Sequence, residues 1–362
     1  MDHTQYLQDL LNQGGNVVIP AGEYHISNPL YVGDNTHVIC DAGTVLKLSD
    51  NANCPILVNR IGAGKTYTKN VCIEGGIWDG NNLGQQRDKY PEKSPRGADF
   101  GQLMAFTAIK DLTIRSLTIK DPNSFGIQLT DTERFTVSDI LFDCNKGTLN
   151  QDGLHVNGWA KDGYVHNLKG NTNDDFVALN ADEGEFNSPE NDIENVVIDG
   201  IWGGEDGWTA VRLLSRLAKV HHVTIRNIFG AYKYNVVSFT HWSDDPIDFG
   251  YFDDILIESV HASSCRTEGS GHGGLFWFQN DTVNVGTVVI RDVFRTESAD
   301  RHNTTSLIEI GDRVKIDTLL LSSLHEKIPD AKPLLTRGED VCIGHLTLDG
   351  ERLQTAMIPL KR

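Results

Sequence analysis

The sequence predicts an all-β fold: a single-stranded right-handed parallel β-helix (solenoid) with a short N-terminal capping helix, residues 1–362 forming one domain. Three observations predict it: a short apolar strand motif that recurs, a second strand between its copies, and an amphipathic segment at the start of the chain. In the motif two β-prone residues flank a variable one, two polar residues or glycines follow, and another apolar residue closes it. Copies include Leu112-Thr113-Ile114-Arg115-Ser116-Leu117, Phe135-Thr136-Val137-Ser138-Asp139-Ile140, Val196-Val197-Ile198-Asp199-Gly200-Ile201 and Val288-Val289-Ile290-Arg291-Asp292-Val293. With the third residue as anchor, positions 114, 137, 165, 198, 225, 257 and 290 advance by roughly 23 to 33 residues, a solenoid period.

The second strand reads Gly153-Leu154-His155-Val156, Phe176-Val177-Ala178-Leu179, Ala210-Val211-Arg212-Leu213 and Val236-Val237-Ser238-Phe239. Two or three short strands per repeat, without 3.6-residue periodicity, mean stacked coils rather than a helical solenoid. A β-sandwich would not produce so regular a period. Thr4 to Asn12 reads as an amphipathic helix covering the open core, which a solenoid terminus needs for solubility. The stretch from Val17 to Tyr24 then enters the first coil. Larger excursions fall near residues 81–104, 182–194, 241–252 and 262–273.

Composition narrows the function. A hydrophobic content of 39% supports a large core, and the 35 glycines fall singly between apolar runs. A net charge of −18 argues against nucleic acid as a partner, because phosphate contacts need a basic face. It leaves room for an anionic sugar in a locally basic groove. No secretion signal precedes the first coil and no apolar run reaches membrane-spanning length, so a cytoplasmic location is expected as the chain is written, and a secreted one if a leader has been removed. Cys40, Cys54, Cys72, Cys144, Cys265 and Cys342 show no paired spacing and are expected to be buried free thiols.

Stacking turns the repeat into addresses, since matching positions in neighbouring coils lie about 4.8 Å apart. Aligning the second strands by their inward apolar pairs puts Asp152, Asp175, Thr209 and Asn235 on successive rungs, with Asp174 beside Asp175. Strict alternation would aim Asp152 and Asp175 at the core, where an unpaired carboxylate is costly, so they are expected in the turn that leads into the strand, facing the groove. Three carboxylates this close cannot all ionise freely, and at least one should hold its proton at elevated pH. Glycoside hydrolysis needs that arrangement: one protonated acid for the leaving oxygen and a carboxylate to activate water. The plain alternative is that aspartates are ordinary turn residues.

His155, Ala178, Arg212 and Ser238 share one outward parity. Arg212 is the first candidate for a substrate contact, against a salt bridge to a loop carboxylate. Lys233, His155, Asn150 and the loop residue His272 are further candidates. Trp208, ahead of Trp242 and Trp277, is a candidate platform for a sugar face, against stacking between coils. Asp182, Glu183 and Glu185 read as a solvated loop or a calcium site. Their spacing is not that of an EF-hand, and no cofactor or metal is expected. The excursion from Gln85 to Phe100, with Arg87, Lys89, Lys93 and Arg96 beside Tyr90, is a solvated loop or a wall that would make the groove exo-acting.

Asn150-Gln151-Asp152-Gly153, followed about one coil later by Asn173-Asp174-Asp175, resembles the Asn-x-Asp and Asp-Asp signatures of the polygalacturonase-like glycoside hydrolases, family 28, of the pectin-lyase-like β-helix superfamily. Gly75-Gly76-Ile77-Trp78-Asp79-Gly80 and Pro122-Asn123-Ser124-Phe125 resemble its upstream landmarks, so the likeness spans residues 15–245. The resemblance implies hydrolysis of an oligo- or polysaccharide with inversion, Asp174 as general acid and Asp152 with Asp175 holding and deprotonating water. The chain departs from the family in two places. Gly207-Trp208-Thr209 stands where polygalacturonases carry Gly-His-Gly, Gly271-His272-Gly273 falling about two coils too late. Tyr232-Lys233-Tyr234-Asn235 stands where they carry Arg-Ile-Lys. Two other functions fit the same fold: a calcium-dependent polysaccharide lyase with Arg212 or Lys233 as base, and a non-catalytic carbohydrate-binding β-helix.

Overall fold

The structure, a computed structural model, describes residues 1–61, 64, 66–92, 101–181, 191–241, 249–264, 274–280, 283–297, 305–328 and 333–360. All its described strands but the last pair in parallel with the equivalent strand of the next coil and build a parallel β-helix. The anchors fall in direct register, Ile114↔Val137↔Val165↔Ile198↔Ile225↔Ile257↔Ile290. The ladder continues to Leu321 and Leu348 at one end, and through Ile73 and Val38 to Val17 at the other. From Ile114 to Ile290 every anchor is fully buried. Each such side chain stabilises the stack by about 1.5–3 kcal/mol.

The polar pair after each anchor has a conformational cause. Ser116, Asp139, Asn167, Asn227, Ser259 and Asp292, each two residues past its anchor, have φ between 53° and 59°. Asp111, Arg134, Asp162, Asn195, His222 and Asp254, each three residues before it, have φ between 50° and 58°. Asn, Asp and Gly reach this left-handed region at least cost, so a coil can turn a corner within one residue and keep its strands straight on either side. The corners also stack: Asn167 Nδ2 donates to Asp139 Oδ1 at 2.6 Å, and Asn195 Nδ2 to Asp162 Oδ1 at 3.0 Å. Strand Ile127–Asp143 thereby wraps most of one coil, bending at Asp131, Arg134 and Asp139.

The second strands form their own ladder. Met104, Ile127, Leu154, Val177, Val211, Val237 and Phe276 align inward. Ala105, Gln128, His155, Ala178, Arg212, Ser238 and Trp277 align outward. The expected N-terminal helix, α1, spans Thr4–Leu11 and buries Leu7 and Leu11 against the core. At the other end Glu351–Leu353 pairs antiparallel with Cys342–Leu348, a reversal the repeat did not foretell. One expectation is corrected here: Cys40, Cys54 and Cys144 are buried, but Cys72 is half-buried and Cys342 exposed. Cys72 sits between the inward Val71 and Ile73, and Cys342 next to the inward Ile343, so both side chains leave on the outer face. Cys265 lies outside the described residues. No helix among the described residues is long and apolar enough to cross a membrane.

If the left-handed corner governs local stability, Asn167→Gly should cost well under 1 kcal/mol, whereas Asn167→Ala should cost about 1–2 kcal/mol in denaturant unfolding. Equal losses would show that only the Asp139 hydrogen bond matters.

Candidate active site

Asp152, Asp174 and Asp175 converge: one carboxylate oxygen from each lies within 4.8 Å of the others. The convergence follows from the register. Asp175 opens strand Asp175–Ala181 and pairs with Thr209 on the next coil. Gly153 N donates to Asp175 O at 2.8 Å, which ties the coil of Asp152 to it. Only glycine fits at 153: an added Cβ would meet Phe176 O at 2.6 Å and the Phe142 ring at 2.7 Å. Gln151 O accepts from Asn173 N at 3.2 Å, so the turns that carry the two motifs are also clamped.

The three carboxylates have different surroundings. Asp152 is 4% exposed and its Oδ2 lies 2.6 Å from His155 Nδ1. Asp175 is 3% exposed, accepts a hydrogen bond from the Thr209 side chain, and has Arg212 Nη1 3.9 Å from its Oδ2. Asp174 is half-buried and receives Asn150 Nδ2 at 3.4 Å. Burial, with the Asp152 charge second, pushes the Asp174 carboxyl up to about 7. Burial, then the charges of Asp174 and Asp152, push Asp175 well above the ordinary carboxylate range, against the pull of Arg212 and Thr209. The cluster therefore holds a proton near neutrality. Asp174, the most open of the three, is the group that can pass it outward.

The sequence-predicted contacts separate into two groups. Asn150 and Arg212 contact the cluster, and Trp208, with Lys233 beside it, joins its edge through Asn173. Trp208 Nε1 donates to Asn173 Oδ1 at 3.1 Å, its ring packs 4.4 Å from Tyr234, and Lys233 Nζ sits 5.8 Å from its centroid. Arg212 Nη1 lies 3.9 Å from Asp175 Oδ2 in the cluster, and its Nε donates to Thr240 Oγ1 at 3.1 Å. His155 does not reach the groove, contrary to the outward reading. It is 2% exposed, with Phe125 stacked on its ring at 3.7 Å. Outward parity gave its direction correctly, but the outer face is itself covered there. His272, Trp242, Asp182, Glu183, Glu185, Lys93 and Arg96 lie outside the described residues.

Arg87 reaches the site from the excursion. It donates to Asn150 Oδ1 through both Nη atoms at 3.3 Å, to Leu149 O at 3.2 Å and to Ser124 Oγ at 3.3 Å. Tyr90, in the same 3-10 helix Arg87–Glu92, is buried. Sequence reasoning missed Phe125, Thr209 and Thr240 as partners. Thr209 already stood on the rung of Asp175, the one signal that could have found it. Among the described residues, three groups of side chains have metal-ligand composition: the aspartate cluster, His37–Cys72–Glu74 and Glu194–His221–His222. Arg115 occupies Glu74 and Lys161 occupies Glu194, which counters a cation at either outlying group.

Comparison with known proteins agrees with this geometry. Residues 15–200, half of the chain, match the profile of the glycosyl hydrolases family 28. An exopolygalacturonase of Arabidopsis thaliana is 23% identical over 260 residues, covering 68% of this chain and 55% of the relative, so the chain spans about half the length of the curated relative it matches. Two solved structures share the fold. The endo-xylogalacturonan hydrolase of Aspergillus tubingensis is 14% identical, with TM-score 0.68, over 93% of this chain and 92% of that one. The family 28 exopolygalacturonase of Yersinia enterocolitica is 15% identical, with TM-score 0.57, over 98% and 76%. With its aspartates gathered on adjacent rungs of a parallel β-helix and the family profile covering half its length, the chain belongs to the glycosyl hydrolases family 28.

Proposed function

We propose that residues 1–362 form one β-helix domain that hydrolyses glycosidic bonds in a pectic, uronate-bearing oligo- or polysaccharide. The observation that carries this reading is the convergence of three carboxylates within 4.8 Å, where burial and the Asp152 charge push the Asp174 carboxyl up to about 7. Asp174 gives its proton to the leaving oxygen as the glycosidic C–O bond breaks. A water held between Asp152 and Asp175 attacks the anomeric carbon and surrenders its proton to that pair, so one proton is released and one taken up per turnover.

The surroundings support an anionic sugar. Arg87 contacts Asn150, Arg212 lies against Asp175 and Lys233 sits beside Trp208, in a chain whose net charge is −18. Trp208, braced by Tyr234 and Asn173, offers an apolar platform for a sugar ring on the coils beyond Asp175. On the other side, Arg87 ties the 3-10 helix Arg87–Glu92 to Asn150, Leu149 and Ser124, which supports a wall at that end of the site and removal of residues from a chain end.

A second reading concerns stereochemistry. Carboxylates within 4.8 Å are closer than the roughly 6.5–9.5 Å usual for inversion and favour a nucleophilic carboxylate with retention. We retain inversion because Asp152 and Asp175 sit on adjacent rungs as a pair suited to one water. The proton NMR signal of the first-formed anomer decides between them, and a retained anomer would transfer the nucleophile's role to Asp152 or Asp175. A calcium-dependent lyase would instead give an unsaturated, ultraviolet-absorbing product that chelator abolishes.

On a panel of oligogalacturonates, Asp174→Asn should lower kcat by about 10²–10⁴-fold, with KM nearly unchanged. Activity should fall as pH rises through about 7, where Asp174 loses its proton. Hydrolysis untouched by the substitution would sink the mechanism. Stability should fall over the same pH range. The folded state keeps a proton that the unfolded chain releases near 3.8, so this carboxyl stabilises less and less as pH rises from there through about 7. Asp174→Asn should therefore raise the unfolding free energy at pH 8 by about 2 kcal/mol, with no gain below pH 4, in urea titrations.

A further inference from the structure

We propose that the hollow between Lys219 and Lys315 is a second carbohydrate site, separate from the aspartate cluster, that takes a uronate residue of an oligosaccharide. Strand Thr209–Ser215 opens beside Asp175, runs about 20 Å, and is followed past a corner by strand Lys219–Tyr232. The hollow lies on the outer face where that second strand begins, across the breadth of the sheet from the aspartates. It encloses about 510 Å³, within the roughly 300–1,000 Å³ of small-ligand sites. Its shape follows from the register. Lys219, Tyr251, Asn284 and Lys315 are direct partners on four successive rungs, so the two lysines stand about 14 Å apart at the backbone. In the neighbouring outward column Asp253, Gly286 and Asp317 follow the paired Phe252, Val285 and Ile316. The floor sinks at Gly286, where an added Cβ would meet Asp253 Oδ1 at 2.0 Å. Leu217 N donates to Phe249 O and Tyr251 N to Ser215 Oγ, each at 2.8 Å. These bonds hold the Phe249 and Tyr251 rings at the rim, 6.4 Å apart and inclined by 56°.

The groups that line the hollow name its occupant. Among the described residues neither lysine side chain forms an ion pair, and both are exposed. Asp253 Oδ1 accepts from the N–H groups of Asp254 and Thr287 at 2.9 and 2.8 Å, which fixes that carboxylate at the edge of the floor. Two ammonium groups alone would suit any anion. The carboxylates of Asp253 and Asp317 beside them repel a phosphate or a sulfate, but they accept hydroxyl protons. The rim rings suit the C–H face of a pyranose. A uronate sugar answers all three with one carboxylate, its vicinal hydroxyls and its apolar face. A neutral sugar leaves the lysines without a counter-charge, and a nucleic acid brings phosphates to the two aspartates. A polymer held here would stay within reach of the cleft after each release, which raises its effective concentration there. That consequence rests on the hydrolytic reading; the binding itself does not.

Titration calorimetry of the full chain carrying Asp174→Asn, with trigalacturonate at low salt, tests the site without turnover. Two binding events are expected, one at the aspartates and one at the hollow. Adding Lys219→Ala and Lys315→Ala should weaken the second event by about tenfold or more and leave the first unmoved. If the aspartates take no uronate, a single event appears and the lysine substitutions remove it, so the functional reading fails while the second site stands. Asp317→Ala separates a uronate from a plain anion. It should weaken trigalacturonate through the lost hydroxyl acceptor, whereas relief of repulsion would tighten inorganic phosphate. Tightened trigalacturonate binding in that variant would overturn the proposal. So would binding at the hollow of phosphate or of a neutral galactose trimer as strong as that of trigalacturonate, or a titration that the two lysine substitutions leave unchanged.

Discussion

Parallel pairing between successive coils is the constraint from which every other feature of this molecule takes its position. Once Ile114, Val137, Val165 and Ile198 share one ladder, each remaining residue of a coil has a fixed partner above and below. The core is then a stack of apolar rungs, and the corners are columns of residues in the left-handed region. The site is the place where one stretch of the outer face carries acid on two neighbouring rungs. Backbone hydrogen bonds, not side-chain contacts, bring Asp152 to Asp174 and Asp175, which is why a cluster so unfavourable in charge can persist. The repulsion is absorbed by a retained proton and by the contacts of Arg212 and His155.

Much of this was legible in the sequence because both signals behind it are local. Inward anchors must be apolar, and left-handed corners favour Asn, Asp, Ser or Gly, so the chain prints the coil as apolar triplets followed by polar pairs. Alignment of the second strands by Leu154, Val177 and Val211 gave the rung equivalence of Asp175 and Thr209 without reference to any relative. The early coils are harder to see. Val38 and Ile73 lie on the same ladder as Ile114, but the excursion with residues 82–92 stretches the step between copies.

Cover was not legible. Parity says which face a side chain leaves from and nothing about what lies over that face. Gln128, His155 and Ser238 all point outward, and all are buried. That explains the misreading of His155 as a groove residue, and it explains why Arg212, whose long side chain emerges from the same ladder, still reaches the site. Partners contributed from distant segments were equally hidden. Phe125 and Arg87 meet the motif residues only because the solenoid returns the chain to the same edge one or two coils apart.

The close fit at Gly153 has a consequence for how such a site can change. A backbone that admits no Cβ between Phe176 and Phe142 sets the coil separation at its hydrogen-bonding minimum. Carboxylate spacing therefore comes in discrete increments: a neighbour in the chain, or one rung along the axis. Drift by a fraction of an ångström is not available to selection, and neither is gradual conversion of one reaction geometry into another. What can vary continuously is the lining supplied by the excursions, which join the coils without setting their pitch. The scaffold thus works like a ruler with fixed graduations, holding the chemistry constant while the loops around it are free to diversify in the glycan they admit.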